Sequence, residues 1–331
     1  MRLRESGMPE EAYWETLFDV ELVLNHLGID SRLRDVVELG CGYGTFTMPV
    51  ARRISGLLRT YDIDPDMVAR TRSRAKDASI ENVACFERDV FADGFDVSDG
   101  SQDACLLFNI LHCEQPARLL TEAARVVRPG GHVLVIHWRC VPATPRGPRM
   151  EIRPRPEMIV DWASQAGLHT PEDAVIDLPP WHYGLCFQRA ARILFLCTGN
   201  SCRSQMAEGW VRHLKAGAIE ACSAGIETHG LNPLAVRVMA EAGVDISSQR
   251  SKHVDELKHM TFDYVVTVCG HAHEHCPMFP GKTKVIHVGF DDPPALVKGA
   301  EDEQAVLGIY RRVRDEIRQY VESLPESLPP K

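Results

Sequence analysis

The sequence predicts an α/β protein made of two doubly wound domains, each built on a largely parallel sheet. Three observations carry this. An apolar run enters a short turn and then a helical stretch twice, at 36–44 with Gly40, Gly42 and Gly44, and at 193–204 with Gly199 and Asn200. Such a strand–turn–helix opens the first unit of a parallel α/β domain, so two of them predict two domains. After the first turn, apolar runs alternate with amphipathic stretches in the βαβ pattern. The length of 331 residues suits two domains of ordinary size.

Composition narrows the class. Apolar residues make up 44% and charged residues 25%, which is ordinary for a globular protein that buries a full core. A net charge of −9 argues against a broad electrostatic grip on nucleic acid. No apolar run reaches the ~18–20 residues of a membrane helix, and no apolar stretch follows the charged first residues as in a signal peptide. The expectation is a cytoplasmic protein with no nucleic-acid or membrane partner. The 11 cysteines are odd in number and irregularly spaced, which speaks against a disulfide framework.

In the first half, the strand at 36–39 meets the glycine turn, and a helix runs to about residue 55. A strand over 57–63 carries Asp62 near its end, 22 residues after Gly40. Further strands are expected over 83–86, 104–110 and 132–137, with a helix over 116–127. Glycines at 40, 42 and 44 let the backbone approach a ligand at a helix N-terminus. An acid about twenty residues on, at the tip of the next strand, suits a ribose diol. Together these point to an adenosine-containing cofactor.

These residues resemble the class I S-adenosylmethionine-dependent methyltransferases. The shared phrases are Glu38 with Gly40, Gly42 and Gly44; Asp62 to Pro65; Asp89; Asn109 with His112; and Arg128 with Pro129, Gly130 and Gly131. The resemblance implies a Rossmann-like sheet that ends in an antiparallel hairpin, with strands at 174–177 and 183–188 after a helix at 156–167. The Pro- and Arg-rich stretch 142–156 is therefore an internal loop, and the domain boundary falls near 188–191, giving domains 1–189 and 190–331. The resemblance also implies S-adenosylmethionine as cofactor, held by Glu38, Gly40, Gly42, Gly44, Asp62 and Asp89. Methyl transfer requires mainly a positioned acceptor, so no catalytic residue is legible in this half. Two readings of Cys113, Cys140 and Cys186 stand side by side: buried packing, or a thiol cluster for a soft arsenic(III) acceptor. His112 and His137 read as residues satisfied by local hydrogen bonds.

In the second half, Cys197 is followed by five residues, then Arg203 and Ser204, at a strand–helix junction. Such a loop aims consecutive N–H groups at an anion on the positive end of the helix. Arg203 adds a two-pronged clamp for an oxyanion. Cys197 lies beneath that anion, where the field is expected to lower its pKa. Ser204 is placed to hydrogen-bond the sulfur, and Asn200 to hold the loop. A helix is expected over 204–215, and a strand over 262–268 that delivers Cys269. Cys202 and Cys222 read as packing.

This half resembles the low-molecular-weight protein tyrosine phosphatase fold, and more closely the thioredoxin-coupled arsenate reductases built on it. The matching phrases run over 195–209, 223–225 and 263–269, with Cys276-Pro277 and Asp291-Asp292-Pro293. The resemblance implies a smaller parallel-sheet domain without a bound cofactor. It implies arsenate as substrate, Cys197 as nucleophile and Asp292 as proton donor. A thiol relay from Cys197 through Cys269 to Cys276 would follow, recycled by thioredoxin or a related dithiol. The stretch 270–276 is then expected to be a mobile, solvent-facing loop. His271, His273 and His275 in that loop read as exposed side chains rather than metal ligands, and as a source of pH sensitivity for relay opening. The rival reading is a phosphomonoesterase, which needs Cys197, Arg203 and an acid but no further thiols.

Overall fold

The computed structural model describes residues 9–171, 174–280, 283–325 and 327–329. The chain divides into two compact units, Met1–Arg189 and Ala190–Lys331. Among the described residues no helix is long and apolar enough to cross a membrane.

Among the described residues the first unit holds eight strands: β1 (Val36–Leu39), β2 (Leu58–Asp62), β3 (Val83–Glu87), β4 (Gln102–Phe108), β5 (Val127–Trp138), β6 (Leu168–His169), β7 (Val175–Leu178) and β8 (His182–Arg189). They lie in the order β3-β2-β1-β4-β5-β8-β6, with β7 also paired to β8. The first five are parallel, and β8 runs antiparallel to β5, β7 and β6. This is a Rossmann-like sheet closed by an antiparallel hairpin. Alternate side chains of a strand face opposite ways. In β4, Cys105 and Leu107 enter one core cluster, while Ala104 and Leu106 enter another on the opposite face. Burial on both faces is what a parallel sheet flanked by helices requires. The order reverses between β1 and β4, so a crevice opens at their carboxyl ends.

Two details depart from the sequence reading. The strand expected over 132–137 starts earlier, at Val127, so the Arg128–Gly131 phrase lies within β5, at a register shift between Gln102 and Ala104 where Gly130 adopts φ +77°. The short strand β6 was not anticipated; two residues give too little periodicity to read.

Glu38 on β1 is buried, and the hydroxyls of Thr47 and Thr60 donate to its Oε2 at 2.6 and 2.8 Å. Burial pushes its carboxyl up to about 7, against the pull of these two hydroxyls. The unfolded carboxyl releases its proton near pH 4.3. The native state therefore holds a proton that the unfolded state has lost. The stability from this group is complete below the unfolded value and drains away as pH rises through 7. Glu38→Gln should stabilise the first unit by on the order of 3 kcal/mol at pH 8 and negligibly at pH 4. Denaturant unfolding at the two pH values checks this, and an equal effect at both would contradict it.

Among the described residues the second unit holds four parallel strands, β9 (Ala191–Cys197), β10 (Ile219–Gly225), β11 (Tyr264–Thr267) and β12 (Lys284–His287), in the order β10-β9-β11-β12. Strand β9 is central, and its apolar residues Ile193 to Leu196 are fully buried. The closing helix Glu303–Glu322 starts where the Asp302 side chain accepts from the Gln304 N–H. It buries Leu307, Tyr310, Val313, Ile317 and Val321, a stripe of three- and four-residue steps along one face. Strand order reverses around β9, which places Cys197 at the switch point of this sheet.

Candidate functional sites

Strand β9 delivers Cys197 to its carboxyl end, and the helix Arg203–Leu214 begins six residues later. The Ser204 hydroxyl oxygen lies 2.9 Å from Cys197 Sγ, and the Asn200 N–H donates to the same sulfur at 3.1 Å. Asn200 has φ +44°, a left-handed conformation that asparagine tolerates better than most residues. Its side-chain amide donates to Ser204 Oγ and Ser223 Oγ, each at 2.9 Å, and its Oδ1 accepts from the Lys252 N–H at 2.7 Å. Asn200 thus ties the loop to β10 and to the segment after residue 250. Gly225 ends β10 against the loop, where an added Cβ would fall 2.7 Å from Thr198 O and 2.8 Å from Asn200 N.

The thiol itself departs from expectation. Cys197 is 4% exposed, and burial pushes its pKa up. The Ser204 hydroxyl, the Asn200 and Ser204 N–H groups and Arg203 oppose this without reversing it. The sequence shows the positive loop but not how completely the sulfur is covered. The hydrogen bond between Ser204 Oγ and Cys197 Sγ lowers the Cys197 pKa against the effect of burial, and the same Oγ accepts from the Asn200 amide. Ser204→Ala should therefore raise the Cys197 pKa further. Alkylation at Cys197, followed by mass spectrometry across pH, should show a midpoint above that of free cysteine. The variant's midpoint should be higher still; an unchanged profile would remove Ser204 from this role.

Arg203 is largely buried. Its Nη1 donates to Phe290 O at 3.0 Å, and its Nη2 pairs with Asp292 Oδ1 at 2.9 Å. This draws Asp292 to the loop, while Asp291 turns away to Arg312 at 2.8 Å. Cys269 stands two residues past β11 and is 8% exposed. Its sulfur lies 3.3 Å from the hydroxyl of Thr198, the neighbour of Cys197. A second thiol is thus seated against the loop that holds the first. Cys276 is half-buried, with its thiol directed at Pro277 O at 3.6 Å, and none of the 11 cysteines forms a disulfide.

The stretch after Cys269 is not a solvent-facing loop throughout. Gly270–Glu274 is a short helix with Ala272 buried in the core. His273 packs against His287 with ring centroids 4.8 Å apart, and both Nδ1 atoms lie on Thr267 Oγ1, at 3.3 and 3.0 Å. His271 and His275, one turn apart, stack at 4.3 Å. The sequence places the three histidines in a loop, and helical spacing splits them between two faces. A five-residue helix is marginal alone, so Ala272 and His273 are what hold it.

In the first unit, Gly40, Gly42 and Gly44 have φ +84°, +50° and +79°. A Cβ on Gly40 would fall 2.8 Å from Ile110 Cδ1, which fixes how closely the turn approaches the β4 loop. Asp62 Oδ2 accepts from the Gly42 N–H at 3.0 Å, and its Oδ1 from the Asp64 N–H at 3.1 Å. Asp62 and Gly40 line a crevice with Asp89, Phe91 and Ile110. Asp89 Oδ1 also caps the short helix Val90–Asp93, accepting from Phe91 N and Ala92 N at 2.9 and 3.2 Å. Glu38 needs correction as a cofactor-binding residue. The two-residue period of β1 turns it beneath the turn, onto Thr47 and Thr60, and away from the crevice.

A second cavity has a volume of about 560 Å³, and its lining residue Leu111 follows Ile110 of the crevice in sequence. Its wall includes His112, Cys113, Cys140, Arg153 and Trp162. Cys186 is elsewhere, on β8, with its sulfur 3.7 Å from His132 Nδ1. Among the three cysteines grouped from sequence, two share a cavity and one packs apart. Arg153 was not singled out from the sequence. It donates to the carbonyls of Pro148, Arg139 and Arg146 at 2.6, 2.9 and 3.0 Å and to Thr144 Oγ1 at 2.6 Å. It thereby holds the Pro- and Arg-rich segment as an ordered internal loop. No periodicity distinguishes it from the four arginines around it.

Comparison with known proteins follows this division. The low molecular weight phosphotyrosine protein phosphatase family model matches residues 192–331, and a methyltransferase domain model matches residues 36–131. An arsenate reductase of Halalkalibacterium halodurans is 48% identical over 135 residues, which are 41% of this chain and 95% of that protein. The chain belongs to this family through its second unit. An arsenate reductase of Bacillus subtilis is 50% identical over 135 residues, again 41% of this chain and 95% of that protein. In the first unit the chain is similar to the crystal structure of a SAM-dependent methyltransferase from Aquifex aeolicus. That likeness has 20% identity and a TM-score of 0.49, over 55% of this chain and 94% of that one. The protein thus joins a methyltransferase domain to an arsenate-reductase homologue of the phosphatase family.

Proposed function

We propose that the second unit reduces arsenate to arsenite through Cys197, Cys269 and Cys276, and that thioredoxin or a related dithiol recycles it. The observation that carries this reading is the Cys269 thiol at 3.3 Å from the hydroxyl of Thr198, next to the nucleophile. A phosphate-ester hydrolase has no use for it. The Cys197 thiolate attacks arsenate, and a hydroxide leaves as water on a proton from Asp292. Cys269 then attacks Cys197 Sγ. The S–S bond forms, the As–S bond breaks with its electron pair, and arsenic leaves as arsenite. Cys276 next attacks Cys269, which frees Cys197 and leaves a disulfide between 269 and 276 for the external dithiol. That last attack requires the helix Gly270–Glu274 to unwind, at the cost of the Ala272 and His273 contacts.

The first unit is read as an S-adenosylmethionine site whose methyl acceptor is small, with arsenite as the acceptor that the second unit would supply. The donor and acceptor groups around the crevice suit such a cofactor. A carboxylate offers about four acceptor positions; Asp62 spends two on Oδ2, for the Gly42 N–H and the Cys41 thiol, and one on Oδ1, for the Asp64 N–H, which leaves a position on Oδ1 for a ribose hydroxyl. Asp89 borders the adenine end, and the backbone of Gly40, Gly42 and Gly44 receives the methionyl part. The bound cofactor supplies an activated methyl group; the chain's own part is to hold and align the acceptor.

The test is a coupled assay with thioredoxin, thioredoxin reductase and NADPH. Arsenate should drive NADPH oxidation, and p-nitrophenyl phosphate should not. S-adenosylmethionine binding by equilibrium dialysis, lost in Asp62→Ala, tests the first unit separately.

A further inference from the structure

The geometry points to the second cavity of the first unit as a dithiol site for trivalent arsenic, closed by Cys113 and Cys140. The inference rests on the reading of the second unit as an arsenate reductase, because that unit's product is a trivalent, thiol-seeking species. Four of the fourteen residues lining the cavity carry sulfur, Cys113, Cys140, Met150 and Met158. The whole chain has 11 Cys and 10 Met among 331 residues, so the wall is enriched several-fold in the ligands that soft ions and metalloids prefer.

The two thiols come from different places in the sequence. Cys113 follows β4 and Cys140 follows β5, so the carboxyl ends of adjacent strands bring them to one wall. The Cys140 thiol is directed at Arg153 O and Pro154 O, at 3.5 and 3.8 Å. Arg153 holds that loop through its four hydrogen bonds, so Cys140 is positioned by an ordered backbone. The volume, about 560 Å³, is ample for arsenite beside a methyl donor.

The chemistry balances without any redox partner. Each As–S bond forms as one As–OH bond breaks, and the thiol proton leaves with the hydroxide as water. Arsenic stays trivalent and its lone pair is kept. The step extends the chain's reaction sequence: the class of reaction that supplies this ligand is oxyanion reduction, and the class that consumes it is alkyl transfer to a soft nucleophile.

The experiment uses the full chain with Cys197, Cys269 and Cys276 replaced by Ser, so that relay thiols cannot capture the probe. The probe is phenylarsine oxide, which is trivalent from the start and takes up two thiols as its single oxygen leaves as water. One probe should bind per chain, with Cys113 and Cys140 protected from alkylation. Cys113→Ser and Cys140→Ser should each weaken binding at least ~100-fold through loss of the second, intramolecular bond. Cys186→Ser should bind normally. S-adenosylmethionine binding, retained in all three, shows that the unit is folded. Affinity that changes less than threefold in both cavity variants, or falls equally in Cys186→Ser, would overturn the site. The probe bypasses arsenate reduction, so failure of the reductase reading appears only in the coupled assay and failure of this site only here.

Discussion

Cys269→Ser should abolish sustained arsenate reduction while leaving the anion loop intact. Steady-state turnover with thioredoxin is expected to fall by on the order of 10³-fold or more, because the second electron-transferring sulfur is gone. Serine keeps the size of the side chain and can still hydrogen-bond Thr198, which now lies 3.3 Å from the sulfur. The loss should thus be chemical rather than structural. Hydrolysis of p-nitrophenyl phosphate, which would need only Cys197, Arg203 and Asp292, serves as the internal control. Any such activity present in the wild type should survive the substitution. A phosphomonoesterase would be indifferent to the change on every substrate. Arsenate turnover within a few-fold of wild type would therefore remove Cys269 from the reaction.

Arg203→Lys should lower kcat/KM for arsenate by about 10²- to 10³-fold, or ~3–4 kcal/mol of transition-state stabilisation. The guanidinium fork has two jobs at once: one prong holds Phe290 O, and the other holds Asp292. An ammonium is a point donor and cannot reproduce both while facing an oxyanion. Without the fork the proton donor loses its tether to the loop, so kcat should fall along with a rise in KM. Alkylation of Cys197 should continue, which shows that the loop still forms. A variant within threefold of wild type would mean that anion capture relies on the loop N–H groups alone.

Much of the fold is legible in the sequence because parallel α/β units write themselves in long periods. β4 and β9 are apolar runs bounded by turns, and the glycines at 40, 42 and 44 sit where positive φ angles are required. The site residues are legible where spacing alone defines the chemistry, as with Cys197, Arg203 and Ser204 on one loop. Legibility fails where burial decides. Glu38 belongs to a glycine-turn phrase, yet strand period points it at two threonines rather than at a ligand. The Cys197 pKa was read from the field of the loop alone, and desolvation opposes that field. The histidine run was read as a loop because its residues are polar. Ala272, the one small apolar residue among them, anchors a helical turn in the core. Arg153 could not be found at all, since its importance lies in carbonyls brought to it by a loop with no periodicity.

The most direct measurement is to locate the disulfide left by a single turnover. Fully reduced protein, exposed to arsenate without thioredoxin and quenched in acid, should release one arsenite per chain. Peptide mapping should find a bond between Cys269 and Cys276, with Cys197 again free. Arsenite release with no disulfide between these residues, or a disulfide that never leaves Cys197, would contradict the relay.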